Sequence, residues 1–287
     1  MRLLTNIGTT LEMIKWEHSI FALPFALCAA MLAAGGWPSA LQLCWIVVCM
    51  VSARSAAMAF NRLADAQMDA ANPRTATRAI PAGALSLKFV ALFVATASVV
   101  FVIAAGQLNR LTLYLSPVAL AIVLLYSFTK RFTRWSHLVL GFALGVAPAA
   151  AWIAVRGSLD ARILVLTAAV TFWVGGFDVL YACQDLEFDR QYGLNSIPQA
   201  YGLRAALTLA RVLHGLMLIL LLVLVVVFAM GKIALVGVAV VALLLGYEHS
   251  LVSSRDLSKL TAAFFTMNGV IAVVFFAFVA ADLLVRR

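Results

Sequence analysis

The sequence predicts an all-α membrane protein, a polytopic bundle of nine transmembrane helices. Three observations carry that prediction. The 287-residue chain is 64% hydrophobic and 11% charged, with a mean hydropathy of +1.04; a soluble domain is about 45–50% apolar and about 25% charged. Nine apolar segments reach the roughly 20 residues that cross a bilayer. The 21 Lys and Arg, which give a net charge of +9, lie mostly between those segments or at their ends, as topology signals do. Helices are required because lipid offers no hydrogen bonds to an open strand. The composition excludes a single water-soluble core and a disordered chain. With no basic stripe interleaved with aromatics, it also excludes a nucleic-acid binder.

The segments run over 18–35, 40–64, 88–106, 110–128, 136–155, 162–184, 206–229, 232–249 and 262–284. Turn signals separate them at Gly35-Gly36-Trp37-Pro38, Gly106-Gln107-Leu108-Asn109 and Arg156-Gly157-Ser158. Pro24, Pro117 and Pro148 fall inside spans and are expected to kink them. The first twenty residues lack the compact apolar core and small-residue cleavage site of a signal peptide. No segment suggests a separate soluble region, so residues 1–287 are expected to form a single domain, and no protein partner is implied. Cys28, Cys44, Cys49 and Cys183 sit in apolar runs without metal-ligand spacing, and are expected to be small buried hydrophobes.

With the N-terminus inside, the inner segments carry thirteen Lys and Arg and the outer segments six; Arg54 and Arg62 lie within the second span. The two longest polar loops, after the second and sixth spans, also fall inside. The expected location is a bacterial inner membrane, with N-terminus and active site facing the cytoplasm.

Six of the twelve acidic residues lie in two short stretches. Each carboxylate at membrane depth costs roughly 2.5–3.5 kcal/mol on insertion scales, so a function is sought for them. Asn61, Asp65 and Asp69, in steps of four, share one helix face with a drift of about 40° per step. Asp178, Tyr181, Asp185 and Asp189 hold one face at the end of the sixth span; Glu187 points away. Two such faces meeting across a bundle would make an oxygen-rich site. Mg²⁺ prefers such ligands and is usually completed by substrate phosphates. Arg74 and Arg78 follow the first set, Lys130 and Arg131 end the fourth span, and Arg190 adjoins the second set. These cations fit a polyanionic ligand. Arg54 lies seven residues before Asn61, about two turns deeper on nearly the same face; it would suit a substrate carboxylate. Arg62, about 100° off that face, is expected to snorkel to the interface. His18 with Glu17, His137, His214, and His249 with Glu248 are expected to anchor the membrane boundary. Trp16, Trp37, Trp45, Trp135 and Trp152 suit interfacial belts or packing. Asn268 is expected to make a helix–helix hydrogen bond.

These residues resemble the UbiA superfamily of intramembrane prenyltransferases, whose pattern is an Asn/Asp-x-x-x-Asp-x-x-x-Asp set on the second of nine helices and an Asp-rich set on the sixth. Both sets are here in full, and Arg54 matches the family's acceptor-side arginine. Lys15-Trp16-Glu17-His18-Ser19-Ile20-Phe21-Ala22-Leu23-Pro24-Phe25 and Thr266-Met267-Asn268-Gly269 are similar to the 4-hydroxybenzoate polyprenyltransferase-like branch.

The resemblance implies Mg²⁺-dependent transfer from a polyprenyl diphosphate to an aromatic carboxylate, in quinone biosynthesis. It implies Asn61, Asp65, Asp69, Asp185 and Asp189 as metal ligands. Asp178 would be either a further ligand or a group beside the reacting carbon. Arg74, Arg78, Lys130 and Arg131 would stabilise the leaving diphosphate, and Tyr181 would shield an allylic cation. Arg54 would orient the acceptor, with the prenyl tail lying in membrane lipid. The expected acceptor is 4-hydroxybenzoate; the alternative is 1,4-dihydroxy-6-naphthoate of the futalosine route to menaquinone. A chlorin, haem or a lipid acceptor is more distant. A non-enzymatic rival is a cation or metabolite transporter, whose acids would line a path near the midplane of broken helices.

Overall fold

The computed structural model describes residues 2–15, 21–253, 257 and 260–286; for 2–7 and 261–265 it describes backbone only. Every element is helical among these residues. The chain packs as two compact units, Met1–Ser19 with Cys44–Phe128, and Ile20–Leu43 with Thr129–Arg287.

In the first unit, α1 spans Arg2–Ile14, α3 Ala40–Ala64 (its first turn belonging to the second unit), α4 Ala66–Ala71, α5 Leu87–Leu108 and α6 Arg110–Leu125. The sequence reading missed α1, whose Leu4, Ile7, Leu11 and Ile14 recur at steps of three and four, the period of one helical face. Met13 and Ile14 join Ala59, Leu85 and Val90 in a small buried cluster. Ser86 caps α5 by accepting from Phe89 N, and Asn109 caps α6 by accepting from Thr112 N, each satisfying a donor the helix start leaves open. Cys49 packs with Ala104 and Ala105 between α3 and α5.

In the second unit, α2 spans Leu23–Ala34, α7 Ser136–Arg156, α8 Leu164–Ala182, α9 Leu186–Tyr192, α10 Ile197–Val227, α11 Lys232–Ser250 and α12 Leu260–Val285. Glycines set how α7 meets α8. A Cβ at Gly141 would collide with the Thr171 carbonyl oxygen and lie 3.0 Å from Gly175 N; one at Gly145 would lie 2.9 Å from Thr167 O. The G-x-x-x-G spacing therefore lets two backbones touch, which in lipid replaces the missing hydrophobic drive. Against this pair, Phe25 of α2 sits 5.0 Å from Trp173 and 5.6 Å from Phe275, ring centre to ring centre. Asp282 of α12, buried, accepts from Gly231 N at 2.7 Å and Ala234 N at 3.2 Å, so it caps the start of α11 from another helix.

Among the described residues, eight helices are long and apolar enough to cross a membrane. The first expected span, 18–35, is represented by the twelve residues of α2, the positions before Phe21 lying outside the described residues. Helix α10 starts nine residues earlier than the expected 206 because Ser196 accepts from Gln199 N and Pro198 sits in the first turn; it breaks at Gly202, whose φ of 81° and ψ of 166° are not helical. Cys28, Cys49 and Cys183 are buried as expected, but Cys44 is exposed. It faces outward from the first turns of α3, where an apolar neighbourhood in sequence means lipid rather than core. Trp152 is likewise buried, 5.7 Å from the Phe228 ring, whereas Trp37 and Trp135 are exposed.

Candidate functional site

The first acidic set is built where α3 stops. Helical backbone pairing continues from Asn61 to Asp65 (2.9 Å) and from Asp65 to Asp69 (2.8 Å), although Asp65 itself leaves helical geometry at φ −98°, ψ 4°. The three residues thus stay on one side through the bend. Asn61 Nδ2 donates to Asp65 Oδ2 at 3.2 Å. Asp65 and Asp69 are buried, with 3% and 6% of their surfaces accessible. Arg78 Nη1 reaches Asp69 Oδ1 at 2.6 Å, and Thr75 Oγ1 donates to the Asp69 carbonyl at 3.0 Å. The loop that returns Arg78 to the acids is held by Asn72, whose backbone oxygen accepts from Thr75 and Ala76 and whose Oδ1 accepts from Arg74 N. Arg74 is exposed beside it.

Arg62 does not snorkel. Its Nη1 donates to Asn61 Oδ1 at 3.4 Å, and it lies within electrostatic reach of Asp65, Asp69, Arg78 and Tyr126. The carboxylates draw it inward, an attraction that an angle measured on an ideal helix leaves out. Arg54 is half-buried deeper on α3.

The second set is built around the end of α8. After α8, which carries Asp178, a 3-10 turn at Cys183–Asp185 leads into α9, which carries Asp189. Asp189 is buried; it hydrogen-bonds Ser196 and lies near Asp185, Lys130 and His137. Glu187 faces outward and pairs with Arg190 at 3.4 Å, both exposed. Arg190 therefore belongs to the outer surface. Tyr181 packs beside the cluster of Val179, Leu180, Ile197 and Ala206. Lys130 and Arg131 end the 3-10 stretch Tyr126–Arg131. The Lys130 carbonyl accepts from Asn195 N at 2.8 Å, tying that stretch to the loop before α10.

Sequence reasoning missed His137. It is buried, and its Nδ1 lies 2.7 Å from Asp178 Oδ2. The signal was available: His137 opens α7, and Gly141 and Gly145 follow it at steps of four, on the same face. His214 and His249 pair across α10 and α11 at 2.9 Å. His18 and Glu17 lie outside the described residues. Asn268 does make the expected interhelical bond, donating to Glu248 Oε1 at 3.4 Å.

Among the described residues, no three His, Cys, Asp or Glu side chains converge closely enough to hold a metal by themselves. The donors present are nonetheless hard oxygens: carboxylates in both sets and the Asn61 amide. They fit Mg²⁺, which commonly takes only one or two carboxylates and completes its shell with water and phosphate oxygens.

The model of the UbiA prenyltransferase family matches residues 22–278. A 4-hydroxybenzoate octaprenyltransferase from Methylobacillus flagellatus is 32% identical over 251 residues, 88% of this chain and 84% of the relative. The same-named protein of Nitrosospira multiformis is 33% identical over 89% of this chain and 87% of its own length. Among solved structures, an apo UbiA homologue from Aeropyrum pernix K1 superposes with a TM-score of 0.85 at 34% identity, covering 93% of this chain and 98% of that one. A UbiA homologue from Archaeoglobus fulgidus bound to DMAPP and Mg²⁺ shares the fold, with a TM-score of 0.75 at 20% identity over 96% and 99%.

Proposed function

The chain belongs to the UbiA prenyltransferase family, and on that premise we propose that it transfers a polyprenyl group from polyprenyl diphosphate to 4-hydroxybenzoate in quinone biosynthesis. It is an integral membrane prenyltransferase, and the transporter expectation falls with that. The observation that carries the acceptor is the agreement of relatives at 30–34% identity, several of which span more than four fifths of this chain, on one named activity. On this reading residues 1–287 work as one catalytic domain, with N-terminus and site facing the cytoplasm of a bacterial cell.

The donor diphosphate is assigned to both acidic sets. Asn61, Asp65, Asp69, Asp185 and Asp189 would hold Mg²⁺, which supplies Lewis acidity to the leaving diphosphate. Arg74, Arg78, Lys130 and Arg131 would stabilise the charge that grows as the C–O bond breaks and the electron pair leaves with the diphosphate. Arg78 is held ready at Asp69. Asp178 adds a carboxylate on the donor side, and the Tyr181 ring, one turn on, shields the allylic cation; such a contact is worth about 0.5–2 kcal/mol. Arg54 holds the acceptor carboxylate and presents the ring carbon beside the hydroxyl. That carbon forms the new C–C bond, and loss of its proton restores aromaticity. The apolar helix faces exclude water from the cation and leave the prenyl tail in lipid.

The test is to incubate membranes containing the protein with radiolabelled polyprenyl diphosphate and Mg²⁺, adding 4-hydroxybenzoate or 1,4-dihydroxy-6-naphthoate separately. Labelled product with 4-hydroxybenzoate is expected. Product with the naphthoate alone would move the enzyme to menaquinone synthesis, and product with neither would overturn the acceptor class.

A further inference from the structure

His137 is one of the few buried titratable groups that the reaction as described does not use, and it is the one placed against the second acidic set. Its two ring nitrogens are both engaged. Ile197 N–H, which can only donate, points to Nε2 at 3.3 Å. Nε2 is therefore the acceptor nitrogen, and the ring proton sits on Nδ1, where it is donated to Asp178 Oδ2 at 2.7 Å. A backbone amide thus fixes the tautomer, and the tautomer fixes the carboxylate. With Oδ2 taken by His137, Oδ1 is the Asp178 oxygen left for a ligand. The side chain of Asp178 is about one quarter exposed while that of His137 is 6% exposed, so the histidine supports the carboxylate from the protein side.

The same ring holds the start of α10. Ile197 follows Ser196, whose Oγ accepts from Gln199 N and whose hydroxyl hydrogen-bonds Asp189. Asn195, one residue earlier, donates to the Lys130 carbonyl. One imidazole therefore ties α8 to the start of α10, beside the Asn195 bond that reaches the stretch bearing Lys130. The glycine contact between α7 and α8 sets its depth: Gly175, three residues before Asp178, sits against Leu138 and the His137 carbonyl, where a Cβ would press on the end of the Leu138 side chain at 2.8 Å and stand 3.5 Å from the carbonyl oxygen.

We propose that His137 is a positioning residue of the prenyl-diphosphate site, which orients Asp178 by a fixed Nδ1–H donor and holds the Asn195–Ser196 segment by accepting Ile197 N–H. This rests on the assignment of the second acidic set to the donor. His137 acts through Asp178 and through the loop that orders Asp189; it touches no substrate itself. The arrangement needs one donor and one acceptor on a single side chain, which a glutamine also offers and an alanine does not.

The experiment measures binding of farnesyl thiolodiphosphate, with Mg²⁺ present, to the full-length protein in detergent. Wild type is compared with His137→Ala, His137→Gln, Asp178→Ala and the His137→Ala/Asp178→Ala double variant, with Tm recorded for each. Losing a hydrogen bond to a charged group is expected to weaken binding by about tenfold or more in His137→Ala, with His137→Gln recovering to within roughly threefold of wild type. The double variant should bind no more weakly than Asp178→Ala alone, because the two residues act as one unit. A lowered Tm with unchanged affinity, equal losses in His137→Gln and His137→Ala, or losses that multiply in the double variant would each overturn the proposal. Should His137→Ala fail to fold, His137→Leu, which fills the space, replaces it. Failure of both would make the residue structural and overturn the proposal as well. Wild type that does not bind the thiolodiphosphate would instead overturn the donor assignment, so the two failures are distinguishable.

Discussion

The same substitution, Gly→Ala, should have opposite signs at two helical positions of this protein. At Gly215, within α10, a Cβ would meet nothing within 4 Å. Alanine there gains helix propensity, about 0.5–1 kcal/mol in favour of the fold. At Gly141 the added Cβ runs into the Thr171 carbonyl and would stand 3.0 Å from Gly175 N. Both obstacles are backbone, so no rotamer change relieves them and α7 must back away from α8. Overpacking of this kind costs about 1–3 kcal/mol. Set against the propensity gain, the net is a loss of up to about 2 kcal/mol. Thermal unfolding of the purified protein in detergent, followed by helical circular dichroism, should place Gly215→Ala at or above wild type and Gly141→Ala below it. Because retreat of α7 also carries His137 away from Asp178, Gly141→Ala should lose transfer activity beyond what its stability loss explains. If Gly141→Ala melts with Gly215→Ala and keeps full activity, the close backbone approach of these two helices is wrong.

Four other outcomes are expected. Asp65→Ala and Asp185→Ala should each abolish Mg²⁺-dependent prenyl transfer in membranes while leaving expression intact, and full activity in both would remove the metal assignment. Arg54→Ala should raise the acceptor KM by about tenfold or more, as loss of a charge-assisted bond does, with the donor KM unchanged; steady-state kinetics with each substrate varied in turn checks this. Chelation of divalent metal should stop transfer and Mg²⁺ should restore it, read as labelled product. Asp282→Ala, which leaves Gly231 and Ala234 N–H without their acceptor, should cost about 1–2 kcal/mol of stability, seen as a lower Tm with kcat nearly unchanged below the transition.

Long apolar runs were legible because a membrane helix repeats one simple requirement over about 20 residues; the span read as 40–64 is α3 to the residue. Short elements were not. Helices α4 and α9 have six and seven residues, too few for periodicity to stand out, and α1 carries polar residues through its middle. The steps of four within each acidic set were legible for the same geometric reason, and Asn61 does meet Asp65. What spacing could not give was contact between residues far apart in sequence. Nothing local to His137 says that its partner lies 41 positions away, and the angle of Arg62 on an ideal helix leaves out the pull of Asp65 and Asp69.

The tight seam between α7 and α8 also divides their hairpin by tolerance. Toward the acidic end the two backbones meet at Gly141 and Gly145. At the opposite end the connection turns at Gly157, whose φ of 69° and open surroundings lead into exposed Ser158 and Leu159. Extra residues grafted there would add loop without shifting any helix against its neighbour. That bend is accordingly the place to attach a fluorophore or affinity handle, since chain added at Ser158 leaves the register around Asp178 where it stands.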